Sequence, residues 1–297
     1  MTFKSFIYKV MQTKPFHKMP DDRYLKMAYY LLMGQRLNLN NPITFNEKLQ
    51  WLKLYDRNPI YSEMVDKYSA KKYAEQIIGK EYIIPTLGVW DRFEDINFDE
   101  LPEQFVLKCT HDSAGLYIVK NKKEFDYENA KKKLSKCLQS NYYYVCREWP
   151  YKDVKPRIIA EEYISDNQNS SLIDYKVHNF SGEPKFILVC TDRFSKEGIH
   201  EDFYDLDWNL MDLHRPSHQN SINQVKKPCN FDLLLELSHK LSTNIPFLRT
   251  DFYEVNGKLL LGELTFFPAG GMDRFEPELW DNILGDWIKL PTKEIGV

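Results

Sequence analysis

Hydrophobic residues recur every three or four positions from residue 21 to residue 80, the spacing that places side chains on one face of a helix. One helix is predicted to begin at Asp21, and a second at Thr44, because Thr44 and Glu47 have the spacing of a capping box. A third is predicted from about residue 62 to residue 78, with Gly79 ending it. The N-terminal third of the chain is therefore predicted to be helical.

Beyond residue 80, shorter apolar runs bounded by turn residues predict strands. A short edge strand is predicted over residues 83–86, because Pro85 cannot donate to a ladder of hydrogen bonds. Further strands are predicted at residues 105–109, 116–119, 157–164, 172–180 and 184–190. The pattern also predicts an exposed helix over residues 123–142, a loop-rich stretch over 191–230, an apolar helix over 231–242 and a Gly-rich turn and helix over 268–290. Together these elements indicate an α+β fold.

The strongest local signal is a hairpin near the C-terminus. Asn256 and Gly257 tolerate positive φ, as a tight hairpin turn requires, and alternating strands flank them. Asp251 and Glu263 lie five and six residues from this turn, so folding the hairpin brings two carboxylates together. Such a pair repels unless a cation lies between the two groups, and oxygen ligands of this kind suit Mg²⁺. A surface hairpin with two solvated acids fits the same pattern.

Two other segments carry groups that suit a nucleotide. Lys108 ends a predicted strand just before a turn of small residues that includes Ser113 and Gly115, and backbone N–H groups in such a turn can surround phosphate oxygens. An ordinary surface hairpin fits this segment too. Glu161 and Glu162 lie at a strand end, where backbone groups of the following connector can bind the edge of an adenine ring.

Alternation along strands places two further pairs of charges. Asp174 and Lys176 face the same side of their strand, and so do Arg249 and Asp251. Fixed cations of this kind stabilise charge on phosphoryl oxygens. A structural salt bridge across the sheet would explain Asp174 and Lys176 equally well.

Composition excludes several classes of protein. Hydrophobic residues make up 43% of the 297 residues and the net charge is −3, so the chain is typical of a soluble globular protein and has no overall field that favours nucleic acid. The five cysteines form no CxxC pair, which argues against a disulfide framework or a zinc site. We expect no signal peptide and no membrane span, and a cytoplasmic location. The first 20 residues hold four lysines and no acid, so they could contact a membrane surface or a partner, although a packed terminal helix explains them as well.

The order of these parts resembles the ATP-grasp superfamily, and more closely the TupA-like ATP-grasp proteins associated with bacterial cell-surface polysaccharide synthesis. The residues that carry the resemblance are segments 41–51, 55–59, 65–68 and 262–266. The resemblance implies two α+β subdomains that clasp a nucleotide behind a helical N-terminal region. It divides the chain into a helical region at residues 1–82, a lid subdomain at 83–160 and a large subdomain with the metal site at 161–297.

The resemblance also implies roles for single residues. Lys67 and Lys108 are expected near the phosphates of ATP, Lys176 near the γ-phosphate, and Arg249 at the acyl-phosphate. Residues of the phosphate loop and the adenine connector are expected to be Ser113, Gly115, Glu161, Glu162 and Ile164. Mg²⁺ is expected at Asp251, Glu263 and Thr265. Two features depart from the superfamily: Thr265 stands where asparagine is usual, and the phosphate loop is poor in glycine.

The implied chemistry is the ATP-dependent ligation of a carboxylate to an amine through an acyl-phosphate. The expected partners are a carboxylate-bearing sugar or polysaccharide precursor, such as a uronic acid, and an amine donor, with no nucleic acid. Peripheral contact with membrane-associated assembly machinery at the inner face of the membrane is also expected. The alternatives are a glycosyltransferase-like protein and a phosphotransferase on the same scaffold. Tyr-rich and Trp-rich segments at 141–144 and 204–208 would suit sugar stacking in the former.

Overall fold

The computed structural model describes residues 3–112, 115–166, 172–193, 195, 198–222 and 224–292. Its helices within these ranges are α1 (Phe3–Met11), α2 (Asp21–Met33), α3 (Phe45–Tyr55), α4 (Ile60–Val65), α5 (Lys67–Ile78), α6 (Tyr127–Leu138), α7 (Tyr143–Cys146), α8 (Phe231–Ser242) and α9 (Leu279–Trp287). Its strands are β1 (Thr86–Trp90), β2 (Phe105–Cys109), β3 (Leu116–Val119), β4 (Ile158–Glu162), β5 (Asp174–Phe180), β6 (Glu183–Thr191), β7 (His200–Tyr204), β8 (Phe247–Val255) and β9 (Lys258–Thr265). The predicted α+β class is confirmed.

The N-terminal third is helical, as predicted, with one correction. The capping box at α3 is present, because the Thr44 side chain accepts from the Glu47 N–H and the Glu47 carboxylate accepts from the Thr44 N–H. The single helix predicted over residues 62–78 is wrong: the chain leaves helical geometry at Asp66, which separates α4 from α5. The carboxylate of Asp66 accepts from the N–H of Tyr68 and pairs with Arg157 at 2.5 Å, so this acid caps α5 instead of continuing α4.

Within the described residues, the smaller sheet has the antiparallel order β1-β4-β2-β3. Its apolar face packs under α6 around a core that includes Phe93, Phe105, Leu107, Leu134 and Ile158. β1 is the edge strand, but it begins at Thr86, where the predicted strand of residues 83–86 ends. The predicted helix over 123–142 is likewise shorter, as α6.

The larger sheet of the described residues has the antiparallel order β7-β6-β5-β8-β9, and the helix α8 packs on one of its faces. The hairpin predicted at Asn256 and Gly257 is confirmed, with φ of +49° and +75° at these two residues. The loop-rich prediction for residues 191–230 missed β7. That strand carries the charged residues Glu201 and Asp202, so it contains no apolar run of the kind from which the other strands were predicted.

Most aromatic rings of the two segments that suggested sugar stacking are engaged in contacts within the protein. The rings of Tyr204 and Trp208 stack on each other, with centroids 4.4 Å apart, and both side chains are buried. Tyr143 donates to Asp21 at 2.5 Å, and Tyr144 stacks on His17. The buried rings of Tyr143, Tyr204 and Trp208 therefore present no open face to a sugar.

Candidate functional site

A cleft of about 450 Å³ lies between the two sheets. Apolar side chains from β2, β3 and the segment before β1 line one side. The other side is lined by residues just before β5, residues just after β6, and one residue of β8. The side chains that line it include Val106, Ile118, Ile164, Arg193 and Tyr253. A cleft with an apolar wall and a few charged groups is the usual form of a small-molecule site.

Lys108 extends from β2 into this cleft and binds a buried carboxylate. Its Nζ lies 2.5 Å from Glu161, and Lys71 on α5 lies 2.7 Å from the other oxygen of the same carboxylate. Burial alone would raise the pKa of Glu161, but the charges of Lys108 and Lys71 outweigh it and hold that pKa below its ordinary value. Glu161 is therefore an anion that binds Lys71 and positions Lys108 at the cleft.

The predicted phosphate loop follows β2, and part of it is described. Lys67 donates from Nζ to the carbonyl oxygen of Asp112, and its N–H donates to Thr110 at 3.0 Å. The N–H of Gly115 donates to the Asp112 carboxylate at 3.0 Å. Ser113 lies outside the described residues. The structure thus brings Lys67 to this loop, but its ammonium is bound to a backbone carbonyl there.

Two thiols lie beneath the same loop. Sγ of Cys109, Sγ of Cys137 and a carboxylate oxygen of Asp112 lie within 4.8 Å of one another, and all three residues are buried. The thiol of Cys137 donates to Asp112, and the N–H of Gly115 donates to the other oxygen of that carboxylate. These hydrogen bonds satisfy the buried acid without a cation, so the cluster holds Asp112 and Gly115 in place.

The predicted adenine connector lines the cleft in part. Glu162, Tyr163 and Ile164 all face it, and the side chain of Glu162 is exposed. The N–H of Glu162 is not free, because it donates to the carbonyl of Pro85 at 3.1 Å. The carboxylate of Glu161 contacts lysines, as described above. A base in the cleft would therefore meet backbone groups that follow Glu162.

A stripe of polar residues crosses the larger sheet on the face opposite α8. Arg249, Asp251 and Tyr253 alternate along β8, and their register partners on β5 are His178, Lys176 and Asp174 respectively. On the other side, Glu263 of β9 lies opposite Asp251, and Thr265 opposite Arg249. The structure therefore places on one face two of the predicted cations, Lys176 and Arg249, together with the three predicted metal ligands.

Asp251 is the centre of this stripe. Arg249 donates to its two oxygens at 2.7 and 2.8 Å, and Lys176 donates to one of them as well. Burial would raise the pKa of Asp251, but Arg249 and Lys176 reverse this effect and lower it to about 2. The same charge of Asp251 raises the pKa of Lys176 against the effect of burial. Burial, together with the charge of Arg249, lowers the pKa of His178 to about 3, so this histidine is neutral.

The residues Asp251, Glu263 and Thr265 fit a Mg²⁺ ion in their chemistry and placement. Among the described residues, Glu263 has no ion pair and no hydrogen bond to a side chain, so its carboxylate is available. One lone pair of Asp251 Oδ1 remains beyond the bond from Arg249, and Thr265 Oγ1 accepts only from Arg249, at 3.1 Å. Carboxylate and hydroxyl oxygens are hard donors of the type that Mg²⁺ binds.

The stripe and the cleft are continuous. Tyr253 lines the cleft, two residues along β8 from Asp251, and Arg193 lines it as well and pairs with Asp174. Sequence reasoning missed Lys71, Arg193 and Tyr253. Lys71 could have been found, because it follows Lys67 by one helical turn. Tyr253 could also have been found, because it lies two residues from Asp251 on a strand and so shares its face. Arg193 comes from an irregular segment that gives no such signal.

A second buried acid lies near Glu263. Glu148 follows α7, is 4% exposed, and its Oε1 has no hydrogen-bond partner among the described residues. Burial raises the pKa of Glu148 to about 7, the charge of Lys53 opposes this rise, and the charge of Glu263 adds to it. Nothing in the sequence around Glu148 predicted this position.

Residues 47–289 match the family model described as TupA-like ATPgrasp. No curated protein matches the chain.

Several solved structures resemble the chain at low identity. D-alanine–D-alanine ligase from Helicobacter pylori is 16% identical, with 76% of this chain and 61% of that chain covered and a TM-score of 0.40. A RimK domain ATP-grasp protein from Sphaerobacter thermophilus is 10% identical, with 79% and 70% covered and a TM-score of 0.42. The ATP-grasp ligase PsnB, complexed with a precursor variant, Mg and ADP, is 11% identical, with 94% and 71% covered and a TM-score of 0.44. The chain spans 61 to 65% of the D-alanine–D-alanine ligases that it matches.

Proposed function

The chain belongs to the TupA-like ATP-grasp family, and on that premise we propose that it is an ATP-dependent ligase that requires Mg²⁺ and joins a carboxylate to an amine. The observation that carries the proposal is the stripe of Arg249, Lys176, Asp251 and Glu263, which leads directly into the cleft between the sheets. A nucleotide in that cleft would direct its phosphates along the stripe. The division of the chain at residues 1–82, 83–160 and 161–297 is part of the proposal, with the second boundary near the end of β4.

The adenine ring of ATP is assigned to the apolar part of the cleft. Val106 and Ile118 would contact one face of the ring, and backbone groups after Glu162 would bind its edge, near Ile164. Lys108, positioned by Glu161, would contact phosphate oxygens, as would the loop that contains Ser113 and Gly115. Lys67 would join them only by leaving the carbonyl of Asp112.

Mg²⁺ would be held by Asp251 and Glu263, with Thr265 as a further oxygen donor, and would neutralise charge on the phosphates. The substrate carboxylate oxygen attacks the γ-phosphorus, and the bond from that phosphorus to the β–γ bridging oxygen breaks, so ADP leaves. Lys176 and Arg249 supply fixed positive charge for the equatorial oxygens during this transfer.

In the second half of the reaction, the amine nitrogen attacks the carbonyl carbon of the acyl-phosphate. The carbon–oxygen bond to phosphate breaks, inorganic phosphate leaves, and the nitrogen loses a proton to solvent. Arg249 would stabilise the tetrahedral oxyanion between these events. We assign the carboxylate to a cell-surface polysaccharide or its precursor, such as a uronic acid, and locate the reaction at the cytoplasmic face of the membrane.

The test measures thermal shifts with ATP, ADP and UDP, each with and without Mg²⁺, because a ligand that binds only the folded state raises the melting temperature. Stabilisation by MgATP and MgADP is expected, and Glu263→Gln should abolish its dependence on Mg²⁺. Glu183→Gln on the same sheet is the matched control and should respond as the wild type. Stabilisation by uridine nucleotides alone would contradict the proposal and favour the glycosyltransferase-like alternative.

Product analysis by mass spectrometry completes the test. Incubation with ATP, a panel of uronic acids and a panel of amines should yield an amide together with ADP and phosphate. A phosphoester product would instead identify a phosphotransferase.

A further inference from the structure

Exposed apolar side chains are concentrated on α1 and α2. Among the eleven large hydrophobic side chains that are exposed in the described part of the chain, five belong to these helices, which are only 9 and 13 residues long. Phe3 is 77% exposed and Phe6 52%, and the other three are Val10, Met27 and Tyr30. Single exposed apolar residues are normal on a protein surface, but a group on two packed helices marks an interaction site.

The helix α1 has two different apolar faces. Ile7, Tyr8 and Met11 face the protein: Met11 is fully buried, and the hydroxyl of Tyr8 donates to the carbonyl of Val145 at 3.0 Å. Phe3, Phe6 and Val10, at spacings of three and four residues, form a second stripe on the exposed side. The first face fixes the helix on the protein, so the second is held in place and presented outward.

Positive charge surrounds the exposed stripe. Lys4 and Lys9 lie on α1, and Lys14 and Lys18 follow it, all four of them exposed and with no acid among the first 20 residues. Lys4 also lies over the ring of Tyr30, which joins the two helices into one surface. We call these lysines and the five exposed apolar residues the N-terminal patch. Its positive charge contrasts with the chain's overall net charge of −3.

We propose that the N-terminal patch binds the surface of an anionic lipid bilayer. Exposed aromatic residues on a basic amphipathic helix insert between headgroups, while neighbouring lysines bind the negative lipids. No helix in the described residues is long and apolar enough to cross a bilayer, so the patch would lie in the interface. This inference goes beyond the proposed ligase chemistry and does not depend on it.

The experiment is co-sedimentation of the full chain with vesicles of phosphatidylcholine, alone or mixed with phosphatidylglycerol. We expect binding to the mixed vesicles, weak binding to the neutral ones, and release at high salt, because salt screens the attraction. Binding that ignores lipid charge and salt, or no binding to either vesicle, would overturn the proposal. These comparisons use the wild-type chain, so no folding defect of a variant can obscure them.

Variants then locate the binding surface. Each lysine near an anionic membrane contributes about fivefold in binding, so Lys9→Glu, Lys14→Glu and Lys18→Glu together should weaken it by roughly a hundredfold or more. Phe3→Ser with Phe6→Ser should weaken binding by about tenfold or more, since the two rings that would be buried in the bilayer are lost.

Matched changes elsewhere serve as controls. They are Lys132→Glu, Lys133→Glu and Lys136→Glu on α6, and Leu279→Ser on α9, all at exposed positions. These variants should bind like the wild type. An equal loss in the control variants, or an unchanged affinity in the patch variants, would contradict the assignment of binding to α1. Thermal stabilisation by MgATP, measured in parallel, reports on the nucleotide site separately.

Discussion

Arg249 donates two hydrogen bonds to the carboxylate of Asp251, at 2.7 and 2.8 Å, from a position two residues earlier on the same strand. Lys176 on the neighbouring strand donates to the same carboxylate. One buried anion therefore holds both of the cations that we assign to the phosphoryl oxygens. Their position depends on the ionisation of Asp251, which its lowered pKa ensures at neutral pH.

We predict that Asp251→Asn weakens both the fold and the response to nucleotide. The substitution leaves Arg249 and Lys176 buried without their counter-charge, and removing one partner of a buried pair costs about 3–5 kcal/mol of the free energy of unfolding. Urea denaturation measures this loss. Thermal shift should show that MgATP no longer raises the melting temperature, because one proposed Mg²⁺ ligand is lost.

Asp202→Asn is the control for this variant. Asp202 is also a buried aspartate of the larger sheet, and it accepts from Asn220 and Ser221, away from the stripe. The Asp202→Asn variant should be less stable than the wild type but should keep its thermal stabilisation by MgATP. A normal MgATP response in Asp251→Asn would remove Asp251 from the metal site.

Glu161→Gln should destabilise the protein in a manner that depends on pH. The amide cannot balance Lys71 and Lys108, so we expect a loss of about 3 kcal/mol at neutral pH, near the lower limit for a buried pair because both lysines are partly exposed. The pKa of Glu161 is lowered in the folded state. Its contribution is therefore fully present above the unfolded value of 4.5 and is lost as the pH falls below that value toward the folded pKa.

Urea denaturation of wild type and Glu161→Gln from neutral to acidic pH checks this. The difference in unfolding free energy should shrink below pH 4.5, while Glu103→Gln, an exposed control in the segment before β2, should show no difference at any pH. A difference that stays constant with pH would mean that packing, and not charge, makes Glu161 stabilising.

Ile118→Trp should block the nucleotide while leaving the fold intact. Ile118 is half-buried on β3 opposite Val106 of β2, and both side chains line the cleft. An indole there would occupy the space that we assign to adenine. We expect the thermal shift with MgATP to disappear and the melting temperature without ligand to stay within a few degrees of wild type. Ile222→Trp, at a position 93% exposed, is the control, and an unchanged response in Ile118→Trp would place the base elsewhere.

Local rules explain part of the stripe that the sequence predicted. Arg249 and Asp251 must share a face if they lie on one strand, and the Asn-Gly turn predicts the hairpin. Local spacing also gave the capping box at Thr44. Counted from the turn, however, Gly262 would lie opposite Asp251. A bulge shifts the register by one residue, so Glu263 lies there instead, and strand alternation does not predict that shift.

Contacts between distant segments could not be predicted in this way. Lys71 and Glu161 form an ion pair although they are 90 positions apart, and the local sequence of neither segment predicts that the other lies beside it. Asp66 breaks the predicted long helix because Arg157, far along the chain, binds it. The strand β7 was missed because its acids are bound by partners such as Arg215, so its charges gave a false signal of exposure.

Gly115→Ala should disturb the loop that follows β2, and a second substitution should repair it. A Cβ at this position would lie 2.6 Å from Sγ of Cys137 and 2.7 Å from Cβ of Cys109, both inside the closest normal contact. We expect overpacking to lower the free energy of unfolding by about 1–3 kcal/mol. Cys137→Ala removes the nearer sulfur, so the double variant should be more stable than the sum of the two single changes predicts. Urea denaturation of all four proteins gives this coupling, and strict additivity would contradict the steric explanation.

Glu148→Gln should stabilise the protein at high pH. Burial raises the pKa of Glu148 from 4.5 to about 7 in the folded state, so the folded protein holds this proton more tightly than the unfolded chain does. Stability from this group is therefore present below pH 4.5 and is lost as the pH rises through about 7. The full loss amounts to about 3 kcal/mol of the free energy of unfolding. The Glu148→Gln variant avoids this loss because it has no charge to bury.

Urea denaturation of Glu148→Gln and wild type across this range, in a chelator to remove divalent cations, checks the sign. The variant should gain relative stability as the pH rises. Because the charge of Glu263 contributes to the raised pKa, the same measurement in a Glu263→Gln background should move the transition to lower pH. A relative stability that falls with rising pH would mean that ionised Glu148 is stabilised by Lys53 more strongly than burial destabilises it.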